Sequence, residues 1–342
     1  ALINLRKKKS NSLKLPALVL AEWAAVTWRL VWRRYDLLHS HWLLPQGFVG
    51  AMSAGPLRIP HVVTVHGGDV FALKGMVLQR FKQFALRSVS SVTVNSSATE
   101  QAVRSIYSKI EMLRRIPMGV TVRDIDHGNA RVREIRNRYR RGCGPLLVFH
   151  GRLVEEKGVA DLLNAVNILC PDLPNVSALV IGEGQDRPQL ENTVEQLGIA
   201  DRVTFAGWVQ PDEVLEHIAA ADVFVGPSCT GADGWVEAQG LTFLEAMVAG
   251  TPVIASRTGG IVDSVRDHDT GLLVDEREPE QIAAAVKMLT DDTELAQQLT
   301  ARARQSVDAV FSRRASACAF DDLFSELTSL RNTSGKPPET QP

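Results

Sequence analysis

The 342-residue chain has no excess of charge of either sign, no paired cysteines and no long uninterrupted apolar run. Lys plus Arg number 38 against 39 Asp plus Glu, a formal net charge of -1. No global field therefore marks a nucleic-acid binder, and any basic surface must be local. The four cysteines, Cys143, Cys170, Cys229 and Cys318, never fall in a C-x-x-C pair. That argues against a zinc knuckle or a disulfide framework, and makes a reducing cytoplasm the default setting. The apolar stretch 15–32 is broken by Glu22 and Arg29 and falls short of the roughly 20 apolar residues of a membrane span. It also lacks the small-residue cleavage site of a signal peptide. No solenoid or propeller repeat is present. What remains, 45% hydrophobic and 23% charged residues, is enough for about two ordinary domains, each with a core.

The first 50 residues are locally basic. Arg6, Lys7, Lys8, Lys9, Lys14, Arg29, Arg33 and Arg34 stand against Glu22 and Asp36, a balance of +6, with Trp23, Trp28 and Trp32 among them. Stretch 15–32 reads as an amphipathic helix. Such a helix can rest on an anionic membrane surface. It can equally turn its apolar side to a core and leave a solvated basic edge, and that is the preferred reading.

From Asp36 onward, short apolar runs alternate with loops rich in Gly, Pro or polar residues and with helical stretches, the pattern of parallel βαβ units. Strands are expected at 61–66 and 91–94. A basic stretch follows, with a connector at 126–144. The alternation then resumes with strands at 146–150, 178–181, 203–206, 222–225, 252–255 and 272–274. Helices are expected from about 159 and 188, and over 213–221 and 242–248. This is an α/β fold with a doubly wound parallel sheet, whose ligands bind beyond the carboxyl ends of the strands. Residues 331–342 hold no large apolar side chain and read as a disordered tail.

Three constellations sit just after strands. In Gly151-Arg152-Leu153-Val154-Glu155-Glu156-Lys157-Gly158, a guanidinium and an ammonium share a turn before a helix, where they can converge on a diphosphate. Taken alone, such a turn is more often a solvated loop. In the stretch from Glu237 through Gly240, Leu241 and Thr242 to Glu245, two carboxylates flank a helix start whose first N–H groups lack partners and favour an anion. A nucleotide sugar would match, with hydroxyls for the carboxylates and phosphates for the amides. Glu245 as an ordinary hydrogen-bonded helix acid fits the spacing equally well. Third, His66-Gly67-Gly68-Asp69 closes a strand, with glycines that admit a ligand and an imidazole beside them. A lone strand-end histidine is more often structural. His39 and His41 point the same way on a strand, but no third ligand accompanies them, so no metal site is expected.

Taken in order, HSHWLLPQG, VTVHGGDVF, GRLVEEKG, the Glu-x7-Glu pair in EAQGLTFLEAMVAGTPVIAS, and TGGIVDSV followed by TGLLV resemble the retaining glycosyltransferases of family 4. The resemblance spans about residues 36–324 and implies the GT-B fold, two Rossmann-like domains facing across a cleft. It implies an acceptor-side domain over 1–125, a nucleotide-sugar-binding domain over 145–312, and a helix at 313–330 packing back toward the first domain. The family's opening strand and Gly-rich loop are missing from this sequence, and the family's Asn-Gly after Ile-Pro stands here as Met118-Gly119.

By the same resemblance, Arg152 and Lys157 would hold the donor diphosphate, and Glu245 the nucleotide ribose. Glu237 would contact donor sugar hydroxyls, and Gly240, Leu241 and Thr242 would supply backbone donors. Gly151, Gly182, Trp208 and Val209 would line the donor site, the last two along the base. His66 would sit beside the donor sugar, making His66, Glu237, Arg152 and Lys157 the catalytic set, with His41, Gly67 and Asp69 on the acceptor side. No cofactor and no catalytic metal are implied. The substrates would be a UDP- or GDP-sugar and a lipid-linked or saccharide acceptor, in cell-surface polysaccharide or glycolipid assembly. The setting would be cytoplasmic, with peripheral contact at the inner membrane face. The rival readings are a GT-B sugar-nucleotide epimerase and an inactive nucleotide-binding module.

Overall fold

The computed structural model describes residues 15–71 and 75–334, so Arg6, Lys7, Lys8, Lys9, Lys14 and positions 335–342 of the expected tail lie outside the described residues. The chain divides into two compact units, one of Ala1–Ile116 with Ala317–Pro342, the other of Pro117–Ser316. Each is built on a parallel sheet.

In the first unit the sheet order is β1 (Leu38–His41), β2 (His61–Val65), β3 (Ser91–Val94) and β4 (Leu113–Arg115). Its register sets Leu38 beside His61 and Val62 beside Ser91. The two inner strands β2 and β3 are wholly buried, as parallel strands are when helices cover both faces. Val63, Val65, Val92 and Val94 meet Leu86 and Val103 from the helices Met76–Ser88 and Ser97–Ile106. Ser96 caps the latter helix, accepting from the Thr99 amide at 3.2 Å.

The helix Leu15–Trp32 forms as expected, but its packing differs from the preferred reading. Leu30, with Val26, packs on Ala54 and Ile59, while Leu18, Leu20, Trp28, Val31 and Trp32 are exposed, Trp32 at 69%. The reason lies in the sequence: apolar residues run all round this helix, and only one face of it, with Val26, Thr27 and Leu30, turns to the helix Phe48–Ala54, where Thr27 donates to the Ser53 hydroxyl at 3.0 Å. No described helix is long and apolar enough to cross a membrane.

In the second unit the sheet order is β10-β9-β8-β5-β6-β7: β10 (Leu272–Val274), β9 (Val253–Ser256), β8 (Val223–Gly226), β5 (Leu146–His150), β6 (Ser177–Ile181) and β7 (Val203–Gly207). Alternation along β5 sends Leu147 and Phe149 to one face, and Leu146 and Val148 to the other. The first face is covered by the helices Val159–Leu169, Arg187–Gln196 and Pro279–Asp291. The helix Val159–Leu169 buries Val159, Leu162, Leu163, Val166 and Leu169, the i, i+3, i+4, i+7 stripe of one helical face.

The second face takes Leu241–Ala249, Val214–Ala219, Thr293–Ser306 and the helix Ala130–Tyr139. That last helix lies in the stretch expected as a connector. It is packed into this unit through Val132 and Ile135, and its Arg136 pairs with Asp222, whose other oxygen accepts from the Leu146 amide at 2.8 Å. The segments around residues 120 and 312 are also laced together: Val120 donates to the Phe311 carbonyl, and Arg313 donates back to Val120. The final helix, Arg313–Ser334, continues past the expected start of the disordered tail, so residues 331–334 are helical. Arg331 donates to the carbonyls of Tyr35 and Asp36, which holds that end in place.

Candidate active site

The order of the second sheet locates its site. From β5 the chain steps outward to β6 and β7, then crosses back to β8 and continues outward the other way to β9 and β10. Connections leaving β5 and β8 therefore part company, and a crevice opens beyond their carboxyl ends. The sequence motifs fall there.

His150 ends β5 and Gly151 follows. The Gly151 amide donates to the Ile181 carbonyl at 3.0 Å, and that of Gly182 to the Gly207 carbonyl at 2.8 Å. A Cβ on Gly182, whose φ is 130°, would lie 1.9 Å from the Gly151 carbonyl oxygen. Gly182 thus lets two loops run backbone to backbone, and the amides of both glycines are already used by neighbouring strand ends. Arg152 is exposed, and its side chain makes no ion pair or hydrogen bond among the described residues. Lys157 closes the short turn Glu155–Lys157, and its ammonium bonds the Glu237 carboxylate with both side chains largely buried. The Trp235 ring lies 5.9 Å from the same nitrogen.

The loop carrying Glu237 is pinned from two sides. The Glu237 carbonyl accepts from the Gly260 amide at 2.8 Å. Gln239, 2% exposed, exchanges hydrogen bonds with the Met118 backbone, accepting at 2.8 Å and donating at 2.9 Å. Gly240 then turns the chain into the helix Leu241–Ala249 with φ 77°, and a Cβ there would strike the Phe243 ring at 2.4 Å. The amides of Leu241 and Thr242 stand at the helix start, where no intrahelical acceptor exists. Leu241 is exposed and Thr242 half-buried, so this start is open to a ligand.

Glu245 lies one turn into that helix, its Oε2 3.4 Å from His150 Nδ1. Among the described residues neither atom is hydrogen-bonded although both are buried, and the buried hydroxyl of Ser256, ending β9, likewise makes no hydrogen bond. Of the two residues expected along the base, Trp208 is 71% exposed just past β7, whereas Val209 packs on the core.

In the first unit, the strand-end groups are turned on one another. His66 follows β2, and its Nε2 lies 2.9 Å from His41 Nδ1. His39 bonds Thr64, which bonds Thr93. Burial, then the neighbouring imidazoles, push His66 and His39 down to about 4; burial, then His39, does the same to His61. Gly67 turns the chain after His66 with φ 95°.

Asp69, expected on the acceptor side, is 0% exposed and does not face a ligand. Its carboxylate accepts from the Leu43 amide at 2.7 Å and the His66 amide at 3.1 Å, joining the loops after β1 and β2. Burial pushes its carboxyl up, partly offset by those amides and by the buried Lys82 ammonium. Among the described residues no group of three or more His, Cys, Asp or Glu is placed to hold a metal ion.

The structure thus brings Lys157, Glu237, Gly240–Thr242 and Glu245 to the mouth of one crevice, with Arg152 on the loop that opens it. Two residues there carry no role in the motif reading. Gln239 lies inside EAQG, where polarity signals nothing about burial. His150 stands directly before Gly151-Arg152, and its position as the last residue of a strand was the available signal.

Comparison with known proteins agrees. The sequence pattern of the glycosyl transferases group 1 matches residues 132–306, and that of the glycosyl transferase 4-like domain matches residues 6–141. A GDP-mannose-dependent alpha-(1-6)-phosphatidylinositol monomannoside mannosyltransferase of Mycobacterium tuberculosis is 34% identical over 264 residues, 76% of this chain and 67% of that protein. A D-inositol 3-phosphate glycosyltransferase of Corynebacterium glutamicum is 30% identical over 328 residues, covering 88% and 75%. Among solved structures, Anabaena HepE in complex with UDP superposes with a TM-score of 0.79 at 22% identity, over 91% of this chain and 82% of that one. The chain spans about two-thirds of the mycobacterial relative's length.

The chain belongs to the glycosyl transferases of group 1. It has the GT-B fold and is a nucleotide-sugar glycosyltransferase.

Proposed function

We propose that this chain transfers a hexose from a GDP- or UDP-sugar to a hydroxyl of a lipid-linked or saccharide acceptor, with retention at the anomeric carbon and without a catalytic metal. The observation that carries the reading is the open helix start at Gly240–Thr242, set beside Lys157 at the β5/β8 crevice, with the unpaired Arg152 on the adjoining loop. Arg152 supplies a planar fork and Lys157 a point charge, and the two free amides complete a cradle for diphosphate. Glu237 takes donor sugar hydroxyls and Glu245 the ribose. Trp208 flanks the base.

In the step itself, the bond between the anomeric carbon and the diphosphate oxygen breaks and the acceptor oxygen bonds that carbon on the same face. The hydroxyl proton passes to the departing phosphate. Negative charge grows on the diphosphate as the bond breaks, so the cradle binds the transition state more tightly than the ground state. The same cations give the leaving group its counter-charge, which supports metal independence.

The relatives' names support a glycolipid or polysaccharide acceptor. The exposed Leu18, Leu20, Trp28, Val31 and Trp32, beside Arg29, Arg33 and Arg34, support peripheral contact with an anionic bilayer. Cosedimentation with phosphatidylglycerol vesicles but not with phosphatidylcholine vesicles is the outcome that agrees.

The test of the whole is a thermal-shift screen of nucleoside diphosphate sugars, followed by NMR of the product anomer in the presence of a chelator. A donor that raises the melting point and yields a retained linkage is expected. An inverted product, or a covalent sugar adduct on any acid, refutes the mechanism. Release of a rearranged sugar without acceptor would instead favour an epimerase.

A further inference from the structure

The loop between β8 and the helix Leu241–Ala249 is anchored along its length. The Cys229 amide donates to the Glu156 carbonyl at 2.9 Å, which ties the loop to the turn Glu155–Lys157. Glu276, two residues past β10, accepts from the Thr230 amide at 2.7 Å and from the Thr230 hydroxyl at 2.8 Å. At the far end Gln239 is held by the Met118 backbone. Between these anchors, residues 231–235 close a turn. The Gly231 amide donates to the Trp235 carbonyl at 2.9 Å, the Trp235 amide donates to Asp233 Oδ1 at 3.0 Å, and Gly234 supplies a φ of 79°. Ala232, Asp233 and Gly234 are exposed, whereas Trp235 is half-buried with its ring 5.9 Å from the Lys157 ammonium. The indole therefore has a fixed seat beside that cation, and the motif reading gives it no role.

We propose that Trp235 is a positioning residue of the donor site: its ring holds the Lys157 ammonium at the diphosphate once Glu237 has turned to the sugar. The proposal rests on the reading of Lys157 as a diphosphate-binding cation. A lysine carries a compact charge on a flexible four-carbon stem. In the ligand-free chain that charge is fixed by the Glu237 carboxylate, with both side chains largely buried. When donor hydroxyls draw the carboxylate away, the ammonium loses the partner that set its place. The indole face attracts the ammonium through the ring quadrupole, and a seat shielded from water strengthens that attraction. It takes up none of the N–H groups as a carboxylate oxygen does, so they stay available to phosphate oxygens. The carboxylate and the ring thus divide one task, the first serving the empty site and the second the occupied one.

Titration calorimetry on the full chain tests this with UDP, GDP and inorganic pyrophosphate as probes. W235L is expected to weaken binding of pyrophosphate, and of the nucleotide that binds, by about three- to tenfold. W235F, which keeps a π face, should recover most of that loss. In a K157M background there is no ammonium to hold, so adding W235L should change nothing further and the two losses should fail to add. Undiminished binding in W235L overturns the proposal. So does a W235F variant as weak as W235L, which would leave the residue a packing role only. A W235L loss that persists in full beside K157M also overturns it, since the ring would then act on the ligand or the fold directly. If the wild type binds none of the probes, or K157M binds pyrophosphate as well as the wild type, the reading of Lys157 has itself failed, and the role of Trp235 falls with it.

Discussion

The two units solve the same architectural problem and leave the carboxyl ends of their strands in different states, the first unit's unpartnered buried atoms, His61 Nδ1 and Ser91 Oγ, lying instead at the amino ends of β2 and β3. In the first, the polar groups beyond β1 and β2 are spent on one another: His41 on His66, and Asp69 on two backbone amides. In the second, among the described residues, the carboxyl ends hold the Arg152 guanidinium without an ion pair or hydrogen bond, the helix-start amides of Leu241 and Thr242, and buried atoms on His150, Glu245 and Ser256 that make no hydrogen bond, the first two 3.4 Å from each other. Satisfied polar networks stiffen a scaffold, while unsatisfied ones mark where a ligand supplies the missing partners. The second unit is, on this comparison, the one whose crevice is shaped to be completed from outside.

The contrast can be broken most sharply at the cations. Arg152→Ala or Lys157→Ala should lower kcat/KM by about 10²–10³, the cost of losing one preorganised charge-stabilising group. Arg152→Lys should recover little of it, because an ammonium lacks the planar fork. Steady-state kinetics that stay within a fewfold of wild type would place the diphosphate elsewhere.

In the first unit the prediction concerns stability rather than binding. Asp69→Asn should destabilise that unit by about 1–3 kcal/mol, since an amide cannot accept from both backbone N–H groups as the carboxylate does. Near-UV circular dichroism during urea unfolding would follow it, and nucleotide affinity should not change.

Acid should also act on this unit. His39, His61 and His66 are neutral in the folded chain down to about 4, whereas an unfolded chain binds those protons near 6.5. Between these limits the unfolded state holds more protons, so stability falls as pH drops from about 6.5 toward about 4. Asp69, raised by burial, works the other way, binding its proton more readily when folded. Replacing His39 with Asn should flatten the net slope. A pH profile already flat in the wild type would contradict the histidine argument.

The smallest effect sharpens the comparison most. Because Lys157 is paired with Glu237 in the ligand-free chain, a diphosphate must displace a carboxylate to reach it. Glu237→Gln should therefore bind a nucleoside diphosphate a few times more tightly, about 1 kcal/mol or less, while turning over more slowly. Calorimetry showing weaker nucleotide binding in this variant would mean that the pair helps to build the site.

Much of this was legible beforehand, for identifiable reasons. Strand β5 is a run of four apolar residues and a histidine bounded by Pro145 and Gly151, and the helix at Gly240 has a glycine where only a left-handed turn fits, so pattern and turn chemistry agreed. Asp69 was misplaced because an acid beside a glycine pair looks like a surface group, and only the fold reveals the two amides that bury it. His150 was overlooked for the converse reason, since nothing local separates a structural strand-end histidine from one facing a crevice. The exposed flank of Leu15–Trp32 could not be read either, because an apolar residue does not say which neighbour it will find. Positions 331–334 extend a helix already nucleated, where polar residues add little cost.

The chain's outward step to β7 and return to β8 also partitions the inheritance of the pocket. In the proposed reading, Trp208 beside the base and the cations Arg152 and Lys157 come from one arm of the sequence, before residue 210, and Glu237, the helix start at Gly240 and Glu245 come from the other, after residue 226. Grafting of the loop after β7 alone would retune the contact to the base while leaving the stretch 151–158, with its two cations, and the whole second arm intact. A lineage built this way can diversify its substrates piecemeal.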